Sequence, residues 1–472
     1  MKSLYPIRWI ALIAAAVIAG TAIVRADTSD DIKALREQIR LLDERLTQLQ
    51  QQEQQLKDQQ AAAAAKAAAN QGAVIATEPK VAVTDKGFTL TSADGADSVR
   101  IRGLAQMDSR LFFGDQGAST NGFLLRRARL ISEGTFSKIY SFQFVTDFAG
   151  TGTPSILDAN LGVALDQAFQ LKFGKFKSPV GLEWLQSDSW TFFDERSIVT
   201  DLVPNRDLGI LASGSLVGDT ISYSVGILNG VPDGGTSNNA AFDNDKNLVG
   251  RVYVTPFKSS DVTPLQGLSF GVSGDMGREK TASGRTAGYK TDGQQTFFTY
   301  NAAVIADGQS WHISPQGEYR YGPFGLIGEY VLSTVNVRPT ATGAKAELQN
   351  KAWQFAGGYV LTGEDSSYNG VIPKTNFDPA AGTWGAFEVV GRFANLKIDD
   401  AAFPLFASTA TNADEATSVG VGFNWYMSKV VMVKFDYYQT KFDFAPHAPA
   451  VPTTAFLRQD EKALITRFQI SF

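Results

Sequence analysis

The last nine residues of the chain alternate. Leu464, Thr466, Phe468, Ile470 and Phe472 take every second position, with Ile465, Arg467, Gln469 and Ser471 between them. Successive side chains on a strand point to opposite faces. One face of this segment is therefore apolar and closes on an aromatic ring, while the other is mostly polar. Such a strand needs a hydrophobic medium on one side and water on the other.

The same period recurs upstream. Val99, Ile101, Ala105, Met107 and Leu111 oppose Arg100, Arg102, Gln106, Asp108 and Arg110. Tyr140, Phe142, Phe144 and Phe148 oppose Ser141, Gln143 and Asp147. Val419, Val421, Phe423, Trp425 and Met427 oppose Ser418, Gly420, Gly422 and Asn424, and Val431, Val433, Phe435 and Tyr437 oppose Met432, Lys434 and Asp436. Each run approaches the roughly 10 residues a tilted strand needs to cross lipid. No segment beyond the N-terminal stretch holds the roughly 18 apolar residues of a spanning helix. A chain of this kind crosses a bilayer only as a closed barrel, because an open sheet edge is unsatisfied in lipid.

Seventeen alternating runs are discernible, the weakest at 294–306. Bacterial single-chain barrels have even strand numbers, so the expectation is an all-β fold: a 16-stranded antiparallel transmembrane β-barrel over 87–472. Forty-four glycines, 32 phenylalanines and 14 tyrosines suit it. Long polar segments such as 232–246 and 278–293 read as outer loops between short periplasmic turns. A soluble β-sandwich or β-helix would need neither the aromatic terminus nor so many apolar side chains on one face.

The N-terminal part is different. Lys2 and Arg8, an apolar run from Trp9 to Val24, and Val24-Arg25-Ala26 read as a signal peptide over 1–26. It carries three basic and no acidic residues, so its removal takes the net charge from −5 to −8. Ile32, Leu35, Ile39, Leu42, Leu46, Leu49 and Leu56 then fall on a 3,4 repeat broken only at Glu53. This is the pattern of an α-helical coiled coil, expected over 27–70. Isoleucine at one seam position and leucine at the other favours two strands, whereas the barrel architecture favours three, and the trimer is the reading adopted. Gly72 to Pro79 reads as a break, giving a linker over 71–86.

Several chemistries are excluded. The chain has no cysteine and two histidines. Thiolate metal sites are impossible, and no metal or cofactor is expected. His312, between Trp311 and Ile313, and His447, between Pro446 and Ala448, have no nucleophile partner in sequence, so an enzyme is not expected. The acidic total argues against a nucleic-acid partner.

Several segments resemble one family. Arg126-Arg127-Ala128-Arg129-Leu130, Asp147-Phe148-Ala149, 171–179 (LKFGKFKSP), Glu195-Arg196, Leu361-Thr362-Gly363-Glu364, Gly385-Ala386-Phe387-Glu388 and Asn424-Trp425-Tyr426 occur in order from about 87 to 472. They resemble the phosphate-selective porins of the O/P type in Gram-negative outer membranes. The resemblance implies a homotrimeric outer-membrane channel with a constriction loop at 180–206. It also implies passive diffusion of anions, phosphate or polyphosphate above all. A differently selective porin for sugars or organic acids is the alternative, with the coiled coil trimerising the protein or contacting the cell wall in the periplasm.

Fixed cations must replace the hydration an anion loses in a narrow pore, and arginine suits tetrahedral oxyanions through its planar fork. By motif match, Arg126 and Arg127 are carried over to the constriction. By strand parity Arg100, Arg102, Arg110, Lys172 and Arg251 are pore-lining candidates. Arg127 and Arg129 share a face and Arg126 opposes them. An outward arginine at mid-bilayer costs about 2–4 kcal/mol, so an irregularity that turns Arg126 inward is expected. Glu195 and Arg196 belong to the constriction loop, whose other acids, Glu183, Asp188, Asp194 and Asp201, are expected to pair with wall arginines and pin it.

Overall fold

The computed structural model describes residues 30–113, 119–150, 152–240, 243–281, 288–445 and 460–472. The expected signal peptide and His447 lie outside them. The described chain divides into two units, one up to Glu78 and one from Pro79 to Phe472.

The first unit is a single helix, α1 (Asp30–Thr77). Its seam residues Leu35, Ile39, Leu42, Leu46, Leu49 and Leu56 are all exposed. Glu53, which interrupts the seam, pairs with Lys57 one turn later at 2.9 Å. The expected break at Gly72 does not occur, and the helix runs to Thr77. A lone glycine costs a helix only about 1 kcal/mol and leaves its hydrogen bonds intact. Pro79 is the effective stop, because proline disfavours the helical conformation in the residue before it. The second half of the expected linker is also structured. β1 (Lys80–Thr84) and β2 (Gly87–Thr91) form a hairpin, and β2 pairs with the start of the next strand.

Sixteen strands close the barrel. They are β3 (Ser98–Phe113), β4 (Gly122–Phe136), β5 (Tyr140–Asp147), β6 (Ser155–Ala164), β7 (Gln170–Lys177), β8 (Arg206–Leu216), β9 (Ile221–Leu228), β10 (Asn247–Val254) and β11 (Leu268–Lys280), followed by β14 (Ile305–Tyr321), β15 (Phe324–Arg338), β16 (Ala346–Val360), β17 (Ala386–Lys397), β18 (Glu415–Tyr426), β19 (Val431–Asp443) and β20 (Asp460–Ser471). Between β11 and β14, the short strands β12 (Gly288–Lys290) and β13 (Thr296–Thr299) make a separate hairpin. The weak run at 294–306 is therefore no wall strand. The wall is antiparallel throughout, and β20 pairs back onto β3.

Parity sorts the two faces as the alternation requires. Met107, Leu111, Phe144, Leu161, Val252, Phe355, Val421 and Phe468 are exposed on the outer wall. Phe377, Trp384, Phe387, Phe423 and Trp425 cluster at one rim with ring centroids 5.2–6.4 Å apart, as an aromatic girdle at a lipid–water boundary does. The terminal Phe472 ring covers Gly103, where an added Cβ would come within 2.6 Å of it. A larger residue there would have to displace the ring. The backbones of the two residues exchange hydrogen bonds of 2.9 and 3.0 Å.

Several connections fold into the lumen, among them the hairpin at 288–299, whose Asp292 pairs with Arg392 at 2.7 Å. The 178–205 segment between β7 and β8 folds inward and buries Val180, Leu182, Phe192, Phe193, Ile198, Val199, Leu202 and Val203. It carries α2 (Leu182–Leu185) and a 3₁₀ turn at Ile198–Leu202. From the opposite end, the 361–385 segment between β16 and β17 enters and meets it. Tyr368 Oη donates to Leu182 O at 2.7 Å, and Gln186 Nε2 donates to Tyr368 O at 2.8 Å.

Candidate permeation site

Where the 178–205 loop meets the wall, β4 carries a bulge. Gln106 pairs with Arg127 and Met107 with Leu125, so Arg126 is the extra residue in β4. A bulge reverses the local parity. Arg126 therefore turns inward and donates to Glu195, with its Nη2 3.0 Å from Oε2. This is the irregularity expected at that pair, and it removes the cost of an arginine in lipid.

Six guanidinium groups and four carboxylates form one connected ion-pair network there. Glu195 Oε1 accepts from Arg110 at 3.0 Å and from Arg467 at 2.9 Å, besides Arg126. Asp188 pairs with Arg127 at 3.2 Å and also with Arg129 and Arg196. Arg129 Nε donates to Asp147 at 2.8 Å. Burial opposes ionisation of Asp188 and Glu195. The guanidinium charges outweigh it and hold both carboxyls well below the usual carboxylate range, with Arg127, Arg196 and Arg129 acting on Asp188 and Arg126, Arg467 and Arg127 on Glu195. Arg196 is a clamp within its own loop: it also donates to Glu183 O at 3.0 Å and Gln186 O at 2.6 Å. Glu183 pairs with Arg392 at 3.3 Å. Asp194 and Asp201 depart from the expected pattern: Asp194 accepts from the Tyr438 hydroxyl and Asp201 from the Lys290 backbone at 2.6 Å.

Beside this network lies a cavity of about 500 Å³. Its wall carries Arg102, Arg129, Lys172, Lys177, Arg206 and Arg251 against two carboxylates, Asp158 and Asp188. Among the described residues no carboxylate lies within ion-pairing distance of Lys172, Lys177 or Arg251. Lys172 stands 5.8 Å from the Phe176 ring centroid. Arg251 stacks on Tyr253 at 4.3 Å and donates to the neutral Gln316 at 3.3 Å. Arg206 pairs with Asp158 at 3.2 Å. Lys172 also lines a second cavity of about 600 Å³ with Arg100, Thr89 and Thr91. Arg100 and Arg102 share Glu133 at 3.0 and 2.9 Å.

Arg467 and Lys177 escaped sequence reasoning as site residues. Arg467 sits on the polar face of the terminal strand, and that parity is the signal that identifies it. Lys177 follows Gly174, whose φ of 115° ends the regular alternation of β7, so no parity argument reaches it. His312 is buried between Asp275 at 2.6 Å and Asp233 at 2.7 Å. It ties the 229–246 connection to the wall, and Asp233 also accepts from the Ser333 hydroxyl at 2.7 Å.

The sequence profile of the family described as phosphate-selective porin O and P matches residues 99–472. Porin O of Pseudomonas aeruginosa is 24% identical over 394 residues, covering 77% of this chain and 87% of that protein. The outer membrane channel DcaP of Acinetobacter baumannii is similar in fold, with a TM-score of 0.51 at 13% identity over 82% of this chain and 99% of that one. A loop-deletion form of OmpT, an outer membrane protein of Vibrio cholerae, gives a TM-score of 0.49 at 13% identity over 80% of this chain and 100% of that one. The family match over most of the chain, together with a closed barrel whose outer wall is apolar and whose interior is charged, indicates a passive channel of the Gram-negative outer membrane rather than an enzyme. The chain belongs to the phosphate-selective porin O and P family.

Proposed function

We propose that this porin passes small anions by diffusion, with phosphate-class oxyanions as the preferred solute. One observation carries the reading: six basic side chains and two acidic ones line the cavity beside the constriction. Fixed cations there replace the water that an oxyanion sheds. Lys177, Lys172 and Arg251 have no carboxylate partner to displace, so they are the groups an incoming anion meets at least cost. Lys172 borders both cavities and passes the anion on towards Arg100 and Arg102. Several shallow sites in series permit release, where one deep site would trap the ion. Arg110, Arg126, Arg127 and Arg129 act from the network as a fixed positive field, their directions set by Glu195 and Asp188.

A second reading rests on the same wall, which also carries Phe176, Leu185, Leu211 and Tyr368. Apolar surface beside cations suits an organic acid with a hydrocarbon body. Planar-bilayer recording decides between them. In a KCl gradient the reversal potential indicates chloride over potassium, and phosphate blocks chloride current more strongly than a monocarboxylate of similar size. Stronger block by the organic acid favours the second reading, and cation selectivity overturns both.

The exposed Ile/Leu seam of α1 supports a homotrimer held by a three-stranded coiled coil. Contact of that segment with the cell wall is the competing use. Sedimentation of purified protein with and without residues 30–77 tests it: loss of the trimer on deletion supports assembly, and an unchanged trimer points to tethering.

A further inference from the structure

Three cations converge on one indole. Lys177 Nζ lies 5.1 Å from the ring centroid of Trp184, Arg196 Cζ lies 5.0 Å away and Arg206 Cζ 5.4 Å away. Trp184 is on α2, is buried, and donates from Nε1 to Asn205 O at 3.1 Å. Lys177 and Arg206 line the anion cavity, whereas Trp184 stands behind them and does not reach it. Like charges this close repel, and burial removes the water that would screen them. Arg196 and Arg206 each have a carboxylate partner, Asp188 and Asp158. Among the described residues, Lys177 donates to the carbonyls of Trp184 and Gln186, at 2.8 and 2.9 Å, and pairs with no carboxylate. The negative face of an aromatic ring attracts cations, most strongly in tryptophan. One ring thus serves three charges that would otherwise spread apart.

We propose that Trp184 is a specificity-determining residue: its ring holds Lys177 and Arg206 at the cavity wall and so sets how strongly the pore prefers oxyanions. The proposal rests on the cavity being the anion path. Trp184 touches no solute and acts through its cations, so it is a positioning residue. A residue that only filled space would serve equally well with its shape kept and its ring electrons withdrawn.

That difference defines the test. Tryptophan analogues carrying increasing numbers of fluorine atoms are placed at position 184 of the full chain, and the purified channels are recorded in planar bilayers. Fluorination keeps the ring's shape and weakens its attraction for cations. The phosphate concentration for half-block of chloride current rises stepwise with fluorine number, to roughly threefold for the most substituted ring. Chloride-over-potassium permeability falls in parallel, and entry of a neutral sugar into proteoliposomes stays unchanged. Trp184→Phe falls within the series and Trp184→Leu beyond its end. A flat fluorine series in an anion-selective channel overturns the role of Trp184 and leaves the anion reading standing. A cation-selective wild-type channel overturns the anion reading, and this proposal with it.

Discussion

Arg467 on the last strand lies directly opposite Asp108 on the first, and two hydrogen bonds of 2.6 and 2.8 Å join them across the closing seam. Both side chains are fully buried. Removing Arg467 leaves the buried Asp108 with Arg110, at 3.1 Å, as its remaining ion-pair partner, and breaking a buried pair of this kind costs about 3–5 kcal/mol. Arg467→Met is expected to destabilise the barrel by that amount, read as a lower midpoint for unfolding in urea. Arg467→Met combined with Asp108→Leu recovers at least half of the loss. An unchanged midpoint in the single variant refutes the assignment of this pair as the seam's main polar tie.

Glu195 draws charge from Arg110, Arg126, Arg127 and Arg467. Glu195→Gln keeps the side-chain shape and removes the negative charge. The ratio of chloride to potassium permeability is expected to rise about fivefold at low salt. Reversal potentials in a KCl gradient measure it, and an unmoved or falling ratio would count against a permeation path past this cluster.

Lys172 and Arg251 face the cavity without carboxylate partners. Lys172→Met and Arg251→Met are each expected to raise the half-blocking phosphate concentration about tenfold. The difference from wild type narrows between 0.1 M and 1 M salt, where the screening length falls from about 10 Å to about 3 Å. Block that is equally strong in the variants places the anion elsewhere in the lumen.

Asp201 sits on the 3₁₀ turn of the 178–205 loop, and burial, reinforced by the charges of Asp292 and Asp233, pushes its carboxyl up to about 8 against the Lys290 amide. The folded loop therefore keeps a proton that the unfolded chain releases near 3.8. A raised folded-state value means that this contribution to stability is complete below about pH 4, declines as pH rises and is gone above about pH 8. Between pH 6 and 8 the loss is roughly 2 kcal/mol. Thermal unfolding at intervals across that range follows it, and Asp201→Asn removes the slope. A slope that persists in Asp201→Asn assigns the pH dependence to another group.

Leu42 and Leu49 lie on the exposed stripe of α1. Leu42→Asp with Leu49→Asp is expected to abolish trimers joined through α1 and leave the conductance of each barrel unchanged. Cross-linking and single-channel recording on one preparation test both halves of the statement.

Much of the wall was legible because a strand's side-chain period of two leaves little freedom when one face meets lipid. Met107 outside with Asp108 inside, and Phe468 outside with Arg467 inside, follow from parity alone. The bulge at Arg126 was legible for the same reason, since two adjacent arginines cannot both avoid lipid on a regular strand. The extent of α1 was not, because Gly72 weakens a helix without ending one. The hairpin at 80–91 was also missed, since its partner is the start of β3 and so depends on the closed barrel.

The chain's own residues determined the alternation, the parity of the arginines and the apolar seam of α1, because these depend on neighbours in sequence. Only the tertiary structure decided which cations stay unpaired. Glu195 lies far along the chain from Arg110 and Arg467, yet Oε1 lies within 3.0 Å of both. Inward folding of the 178–205 loop places Asp188 and Glu195 among six arginines and leaves Lys172, Lys177 and Arg251 without carboxylate partners among the described residues. Local sequence cannot express that division, because Coulomb energy depends on distance through space and on the water excluded between charges.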